Sequence, residues 1–409
     1  MTFFVGRSPT RCRYRPRRRS VLLAAAFTAL STAALAANTD AGKYQVALGD
    51  CEGCHGKNLA GGVVLETPFG KMLTSNITPD KDTGIGNYSL QDFALAMKRG
   101  VAPGGRRLYP AMPYPSYAHM SDGDIAALWD YLRTVRPVKN SVQVNQLRFP
   151  YNLRFLMRGW NYLFFRPVPI GDASKSPEWN RGAYLVNGPG HCGACHSPKN
   201  AFGADKGPLT GASLQGWFAP DLTSDRNAGL GSWSRSDIVE YLETGRNAHS
   251  LASGPMAEAV ENSTSRMTDE DLVAIAVYLS ELPPGKGNGG GATGADAQIK
   301  AGAVAYDVSC AACHGRDGKG SVLFPPLAGN ASVRQVRADT LVRMVLAGGK
   351  AAATQKAPTG PAMPSFGWRL SDDQVANILT YVRNNWGNTA PVVSAETVGR
   401  IRSSLHSGS

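Results

Sequence analysis

A pentapeptide of the form Cys-x-x-Cys-His occurs three times in this chain of 409 residues. The copies lie at 51–55, 192–196 and 310–314, and together they contain six of the seven cysteines. Self-similarity of this kind indicates a repeated structural unit, which argues against one large core. The sequence therefore predicts three tandem domains, each built around one copy of the pentapeptide.

The similarity between the first two units extends well beyond the cysteines. The block at 76–100 matches the block at 221–245 at a constant offset of 145 residues, from Asn-Ile-Thr and Asp-Leu-Thr at the start to a glycine at the end. The third unit keeps the pentapeptide and its last helix but lacks this middle block. The first two units are therefore predicted to be structural duplicates.

All three units are predicted to begin and end alike. A glycine and a tyrosine precede each cysteine pair: Gly42 and Tyr44, Gly182 and Tyr184, Gly302 and Tyr306. A helix closes each unit, with an N-cap residue followed by acids in its first turn; the caps are Ser121, Thr268 and Ser371. The 46 glycines and 26 prolines favour short helices and long loops over large sheets. The predicted fold class is mainly α.

The first 36 residues have the composition of an export signal. They hold seven arginines and no acid, and the uncharged run from Val21 to Ala36 ends in small residues. This order predicts a cleaved signal peptide and a mature chain outside the cytoplasm. A retained anchor is the alternative, although the uncharged run is short for a membrane-spanning helix. Without these arginines the formal net charge falls from +12 to +5, and no nucleic-acid partner is expected.

The repeat and the composition together set the predicted boundaries. The order is a signal peptide (1–36), domain 1 (37–136), a connector (137–177), domain 2 (178–282), a glycine-rich linker (283–297), domain 3 (298–387) and a C-terminal tail (388–409). Within the connector, residues 155–165 are aromatic and interrupted by arginine. They are predicted to pack between domains or to contact a partner or a membrane surface.

A Cys-x-x-Cys pair is typical of a redox disulfide, half a zinc site or a haem attachment. The histidine directly after the second cysteine favours haem, because two thiols bind one porphyrin edge while the imidazole coordinates the iron. A zinc site needs a second ligand pair at short range, which His119, His191 and His249 do not supply. The sequence thus predicts three covalently bound haems c, with zinc or disulfides as the alternatives. The predicted attachment residues are Cys51, Cys54, Cys192, Cys195, Cys310 and Cys313, and the predicted iron ligands are His55, His196 and His314.

Each unit also offers a methionine as a sixth iron ligand. Met112, Met256 and Met363 follow their histidines by 49 to 60 residues, and each lies beside a proline that stiffens its loop. A His/Met pair raises the haem potential and closes the iron to other ligands, which suits electron transfer. Met120 and Met267 are the alternatives to these ligands.

Several strings in the chain resemble one protein family. TSNITPD at 74–80, LYPAMPY at 108–114, EWNRGAYL at 178–185 and GPMAEA at 254–259 are similar to the tri-haem cytochrome c subunits of bacterial membrane-bound dehydrogenases. The resemblance covers the whole chain after the signal and implies three tandem class-I cytochrome c-like domains. One departure is the short tail after Trp386, where many members carry an amphipathic membrane-docking segment.

The resemblance also implies partners and a role. Such subunits accompany a flavin-dependent sugar or sugar-acid dehydrogenase, or a quinoprotein alcohol dehydrogenase with pyrroloquinoline quinone, and pass electrons to membrane ubiquinone. The hypothesis is therefore a non-catalytic electron-transfer subunit on the periplasmic side of the bacterial inner membrane, attached to the membrane directly or through its partner. The alternative is a stand-alone multihaem enzyme such as a peroxidase, which needs one open iron.

Overall fold

The structure is a computed structural model that describes residues 1–2, 38–143, 145–285 and 295–406. All but the first two residues of the predicted signal peptide, and most of the glycine-rich linker, lie outside the described residues. Helices dominate the described part and its strands are short, so the predicted mainly α fold class is confirmed. None of the described helices is long and apolar enough to cross a membrane.

The first unit packs its first and last helices together, with short elements between them. Its elements are α1 (38–48), α2 (Cys51–His55), β1 (Val64–Thr67), β2 (Gly70–Leu73), α3 (Leu90–Arg99), β3 (Val101–Ala102), β4 (Arg106–Arg107), α4 (Tyr114–Tyr117) and α5 (Asp122–Leu132). The connector adds β5 (Gln146–Leu147) and α6 (Met157–Phe164). Strand β5 pairs antiparallel with β2, so the connector lies on the first unit.

The second unit repeats this order of helices. Its elements are α7 (Pro177–Asn187), α8 (Gly193–His196), β6 (Thr210–Leu214), β7 (Trp217–Asp221), α9 (Arg235–Thr244), α10 (Pro255–Asn262) and α11 (Asp269–Ser280). Helices α3 and α9, which belong to the matching blocks, begin with the same capping box, formed by Ser89 with Asp92 and by Ser234 with Asp237. The duplicated sequence therefore folds into duplicated local structure.

The third unit includes most of the predicted tail. Its elements are α12 (Asp296–Ser309), α13 (Ala311–His314), α14 (Ala331–Arg334), α15 (Asp339–Ala347), β8 (Gly349–Lys350), β9 (Ala362–Met363), α16 (Asp372–Arg383) and α17 (Ala395–His406). Val398 and Ile401 of α17 are buried in the core of this unit. Arg402 Nε donates to Asp372 Oδ1 at 2.7 Å. The tail therefore folds back onto the third unit because its apolar face has a partner there.

One glycine in the first helix of each unit lets that helix touch the last helix backbone to backbone. A Cβ atom at this position would lie 2.0 Å from a carbonyl oxygen of the last helix at Gly42, 2.0 Å at Gly182 and 2.1 Å at Gly302. Real Cβ contacts are never this short, so only glycine permits the crossing. These are the glycines that precede each cysteine pair in the sequence.

Candidate haem-attachment sites

Each pentapeptide folds as a single helical turn directly after the first helix of its unit. The cysteines of all three copies are free thiols. Burial raises the pKa of Cys51 and Cys192 to about 12 and that of Cys310 to about 11. The described residues contain no group of three or more His, Cys, Asp or Glu side chains that could hold a metal ion. Among the described residues there is thus no second pair of ligands for a zinc site.

Each of the three histidines makes the same kind of hydrogen bond, from Nδ1 to a backbone carbonyl oxygen. Nδ1 of His55 lies 2.6 Å from Ser75 O, Nδ1 of His196 lies 2.7 Å from Pro220 O, and Nδ1 of His314 lies 3.1 Å from Pro325 O. A carbonyl oxygen only accepts, so Nδ1 carries the hydrogen and Nε2 keeps its lone pair. Burial lowers the pKa of each ring, which favours the neutral imidazole that coordinates iron.

These carbonyl partners were not predicted from the sequence. Ser75 and Pro220 are 145 residues apart, so they occupy the same place just before the duplicated blocks. That offset was the only sequence signal for these acceptors, because a backbone carbonyl does not require a particular residue type. The third unit lacks the block and uses Pro325, only 11 residues after His314. Histidine orientation is therefore the same in all three units although the loop that provides it differs.

Two of the predicted methionines lie in the same apolar cluster as a cysteine of their own unit. Met112 and Cys51 both pack against the core of the first unit. Met363 and Cys310 both pack against the core of the third unit. In these two units the proposed sixth ligand and a cysteine of the pentapeptide thus border the same apolar core.

The second unit differs in this respect. Met256 packs with Ala252, Val260 and Ala352, and Ala352 belongs to the third unit. Cys192 packs in a separate cluster that contains the buried Met267. The structure therefore does not bring Met256 and Cys192 into one cluster, and the choice between Met256 and Met267 needs a direct test.

The three sites have the chemistry that a covalent haem c requires. Each offers two free thiols, an imidazole with Nδ1 already bonded, and an apolar wall at its side. A hydrogen bond to the far nitrogen of a ligating imidazole fixes its orientation and raises its basicity. The residues present therefore fit the group that the pentapeptide predicts.

The first and second units bind each other through the same contact made twice. Tyr44 Oη donates to Asp271 Oδ2 at 2.7 Å and accepts from Thr268 N at 3.1 Å. In the reverse direction, Tyr184 Oη donates to the Asp124 carboxylate and accepts a longer hydrogen bond from Ser121 N. Each tyrosine caps the closing helix of the other unit. The interface thus has an approximate two-fold relation, as expected of duplicates.

This interface also brings the first two pentapeptides together. His191 Nε2 donates to Gly49 O at 3.1 Å, and its ring packs edge-on against Tyr117. Burial raises the pKa of the Cys54 thiol to about 11, and the proximity of Asp50 and of Cys195 adds to this shift. A cysteine of each pentapeptide therefore lies at the boundary between the two units.

The third unit contacts the second unit elsewhere. Phe218 N donates to Thr340 Oγ1 at 2.8 Å, and Ala353 N donates to Glu261 Oε1 at 2.7 Å. The guanidinium of Arg343 lies 5.2 Å from the centre of the Trp217 ring. The second unit therefore contacts both of the others and occupies the middle of the series.

Comparison with known proteins agrees with this description. The model of the cytochrome c family matches residues 39–136 and 299–386. The chain is 41% identical over 388 residues to the cytochrome c subunit of alcohol dehydrogenase (quinone) from Gluconobacter oxydans, covering 88% of this chain and 81% of that protein. It is 40% identical to the gluconate 2-dehydrogenase cytochrome c subunit of Pantoea cypripedii, with 93% and 94% covered. It is 35% identical to the fructose dehydrogenase cytochrome subunit of Gluconobacter japonicus, with 88% and 82% covered.

These relatives are similar to nearly the whole chain, including the second unit, which lies between the two matches of the family model. Membership of this family implies covalently bound haem c. The chain therefore belongs to the cytochrome c family, among the cytochrome c subunits of dehydrogenases.

Proposed function

We propose that this chain carries three covalent haems c and transfers electrons away from a catalytic dehydrogenase subunit. The observation that supports this most directly is the repeated geometry of the histidines. Each lies one residue after two free thiols and has its Nδ1 bonded to a carbonyl oxygen. A bound haem supplies a centre that is oxidised and reduced by one electron.

The protein residues hold and enclose that centre. In the proposed assignment the six pentapeptide cysteines would form thioethers to the haems, and His55, His196 and His314 would ligate the irons. Met112, Met256 and Met363 would be the second protein ligands of the irons. Such closed sites favour electron transfer over reaction with small molecules, and none of the relatives described above is named a peroxidase.

The proposed route follows the contacts between the units. Because the second unit contacts both of the others, the proposed path from one end of the chain to the other runs through it. We propose a donor that is a flavin or pyrroloquinoline quinone dehydrogenase, and ubiquinone as the acceptor. The relatives named for alcohol, gluconate and fructose oxidation support a dehydrogenase partner without separating these donors. The proposed location is the periplasmic side of the bacterial inner membrane.

The haem count is tested by measuring haem and polypeptide in the same purified sample. We expect three haems per chain from pyridine haemochrome absorbance and intact mass. The double variant Cys310→Ala with Cys313→Ala should retain two, since the other two pentapeptides do not depend on this one. A ratio of two in the unaltered chain, unchanged in the variant, contradicts the third site.

The partner is tested by mild solubilisation of membranes that contain a tagged chain. We expect a large subunit to co-purify, and its prosthetic group to identify the donor class. Reduction of the haems by substrate, followed by reoxidation with a ubiquinone analogue, tests the direction of transfer. A haem-loaded chain that purifies alone and binds carbon monoxide at a full site contradicts the proposal and favours the enzyme alternative.

A further inference from the structure

We propose that the connector presents a basic aromatic face that binds the surface of a bilayer of anionic phospholipid. The basic aromatic face is defined as the exposed side chains of residues 148–168 together with Arg99 and Arg107. This inference adds an attachment surface to the proposed function and does not depend on the haem sites. It rests on the positive charge of the connector, on its exposed apolar side chains and on the hydrogen bonds that hold α6 in place.

The charged residues are all basic along most of the connector and just before it, and the first acid is Asp172 near the connector's end. No Asp or Glu occurs from Tyr131 to Gly171. The same stretch holds seven basic residues: Arg133, Arg136, Lys139, Arg148, Arg154, Arg158 and Arg166. Arg148, Arg158 and Arg166 are exposed. A concentrated positive charge of this kind is attracted to anionic lipid.

Large apolar side chains are exposed between these arginines. Phe149 is 78% exposed, Phe155 is 65% exposed and Tyr162 is 81% exposed, and Leu163 and Val168 are exposed as well. Large apolar residues grouped together on a surface mark an interaction site, whereas isolated ones do not. The connector therefore presents both the charge and the apolar area that an interfacial segment needs.

Helix α6 is partly buried along one side, and this leaves the side chains on its other side exposed. Its Trp160, Asn161 and Phe164 are partly buried at helical spacing, whereas Arg158, Tyr162 and Leu163 are exposed.

The inner side is fixed by one hydrogen bond to the first unit and one to the second. Asn161 Oδ1 accepts a hydrogen bond of 2.5 Å from Tyr114 Oη, and Tyr114 is fully buried. Trp160 Nε1 donates to Phe202 O at 2.9 Å. Because one side of the helix is anchored, the other side is held ready for a ligand.

A pocket of about 490 Å³ lies within the same face. It is lined by Arg99, Arg107, Arg158, Asn161, Tyr162 and Phe165. Arg107 Nε is buried and has no hydrogen-bond partner among the described residues. Guanidinium groups bind phosphate in a planar, often bidentate way. The pocket is therefore suited to the phosphate of a lipid headgroup.

The pattern favours lipid over a protein partner. Protein interfaces are also enriched in arginine and aromatic residues, but charged residues are depleted at their centre. Here arginines alternate with aromatic residues through the whole segment, as at Arg154 and Phe155 or Arg158 and Tyr162. This alternation is typical of segments that lie in the bilayer interface, where arginine contacts phosphate and aromatic rings enter the acyl boundary.

The test uses the haem-loaded full chain and lipid vesicles. Sedimentation with vesicles of equal parts phosphatidylglycerol and phosphatidylcholine is compared with sedimentation with phosphatidylcholine alone. We expect binding to the anionic vesicles that weakens as salt rises, and little binding to the neutral ones. The double variant Arg158→Gln with Tyr162→Ser should bind anionic vesicles about tenfold more weakly, since one arginine near such a surface accounts for about fivefold.

The third unit offers a matched control. Trp368 is 82% exposed and its neighbour Arg369 is also exposed. The double variant Trp368→Ser with Arg369→Gln removes the same kinds of group from another surface and should bind vesicles normally. Equal losses in both double variants, or equal binding to neutral vesicles, overturn the proposal. So does a connector variant that binds vesicles normally but no longer retains the co-purifying subunit. Haem content and the unfolding temperature, measured in every variant, separate these outcomes from misfolding and from failure of the proposed function.

Discussion

The substitution Gly182→Ala tests the helix crossing that builds each unit. Gly182 lies in α7 where this helix touches α11. A Cβ atom there would lie 2.0 Å from Ala274 O and 2.7 Å from Tyr278 Cβ. The nearest atom belongs to the backbone, so no rotation of a side chain can relieve the contact. The two helices must therefore separate to accept a single methyl group.

Two opposing effects set the size of the loss. Alanine stabilises a helix interior by about 1 kcal/mol relative to glycine. Overpacking typically costs about 1–3 kcal/mol, and a clash with backbone belongs at the upper end of that range. The net loss should be about 2 kcal/mol. For a unit of about 100 residues, 1 kcal/mol corresponds to about 4–8 °C, so the unfolding temperature should fall by about 10 °C.

The assay is thermal unfolding of the haem-loaded full chain, followed by far-ultraviolet circular dichroism. The matched control is Gly159→Ala in α6, since a Cβ at Gly159 meets nothing within 4 Å. This control gains helix propensity without a clash and should unfold at the same or a slightly higher temperature. Gly302→Ala should repeat the loss, because its Cβ would lie 2.1 Å from Asn377 O. An unfolding temperature of Gly182→Ala equal to that of the control refutes the reasoning.

Two further predictions concern pH and iron ligation. Burial raises the pKa of Tyr44 to about 12, and although burial alone would raise that of Asp271, hydrogen bonds from Arg181 and Tyr44 hold it below its usual value. The Tyr44–Asp271 contact should therefore stabilise the chain from about pH 4 to about pH 10 and be lost beyond both limits. Unfolding temperatures measured across this pH range check the prediction. The variant Asp271→Asn lacks the carboxylate, so its unfolding temperature should depend less on pH. Met256→Ala should remove the long-wavelength methionine-to-iron absorption of one haem and lower its potential, whereas Met267→Ala should change only stability; the opposite result makes Met267 the ligand.

Local chemistry could be predicted from the sequence because its signals are short. The predicted N-cap residues Ser121, Thr268 and Ser371 each accept a hydrogen bond from the backbone N–H three residues later. The pentapeptide and the glycine before it also lie within a stretch of 13 to 15 residues. Such features depend on a few neighbouring residues, so tertiary structure has little chance to override them.

Contacts between residues that are distant in the sequence were harder to predict. The carbonyl acceptors of the histidines are backbone atoms, which any residue can supply. The placement of Met256 beside Ala352 depends on how the third unit packs on the second. The apolar spacing of Val398 and Ile401 predicts a helix, but only the structure shows that its apolar face is covered by the third unit. The spacing of apolar residues in the sequence shows which side of a helix will be buried. Which residues cover that side depends on how the units pack.

The pairing of the first two units uses a residue of the first helix that the third unit lacks. Two residues after the crossing glycine, the first and second units carry Tyr44 and Tyr184. The third unit carries Val304 there, and this valine is 69% exposed. A two-fold contact needs the donor on both partners, because each patch is used once from each side. The third unit lacks this donor and contacts the second unit through other residues, among them Thr340 and Arg343, so the series of three units is unsymmetrical.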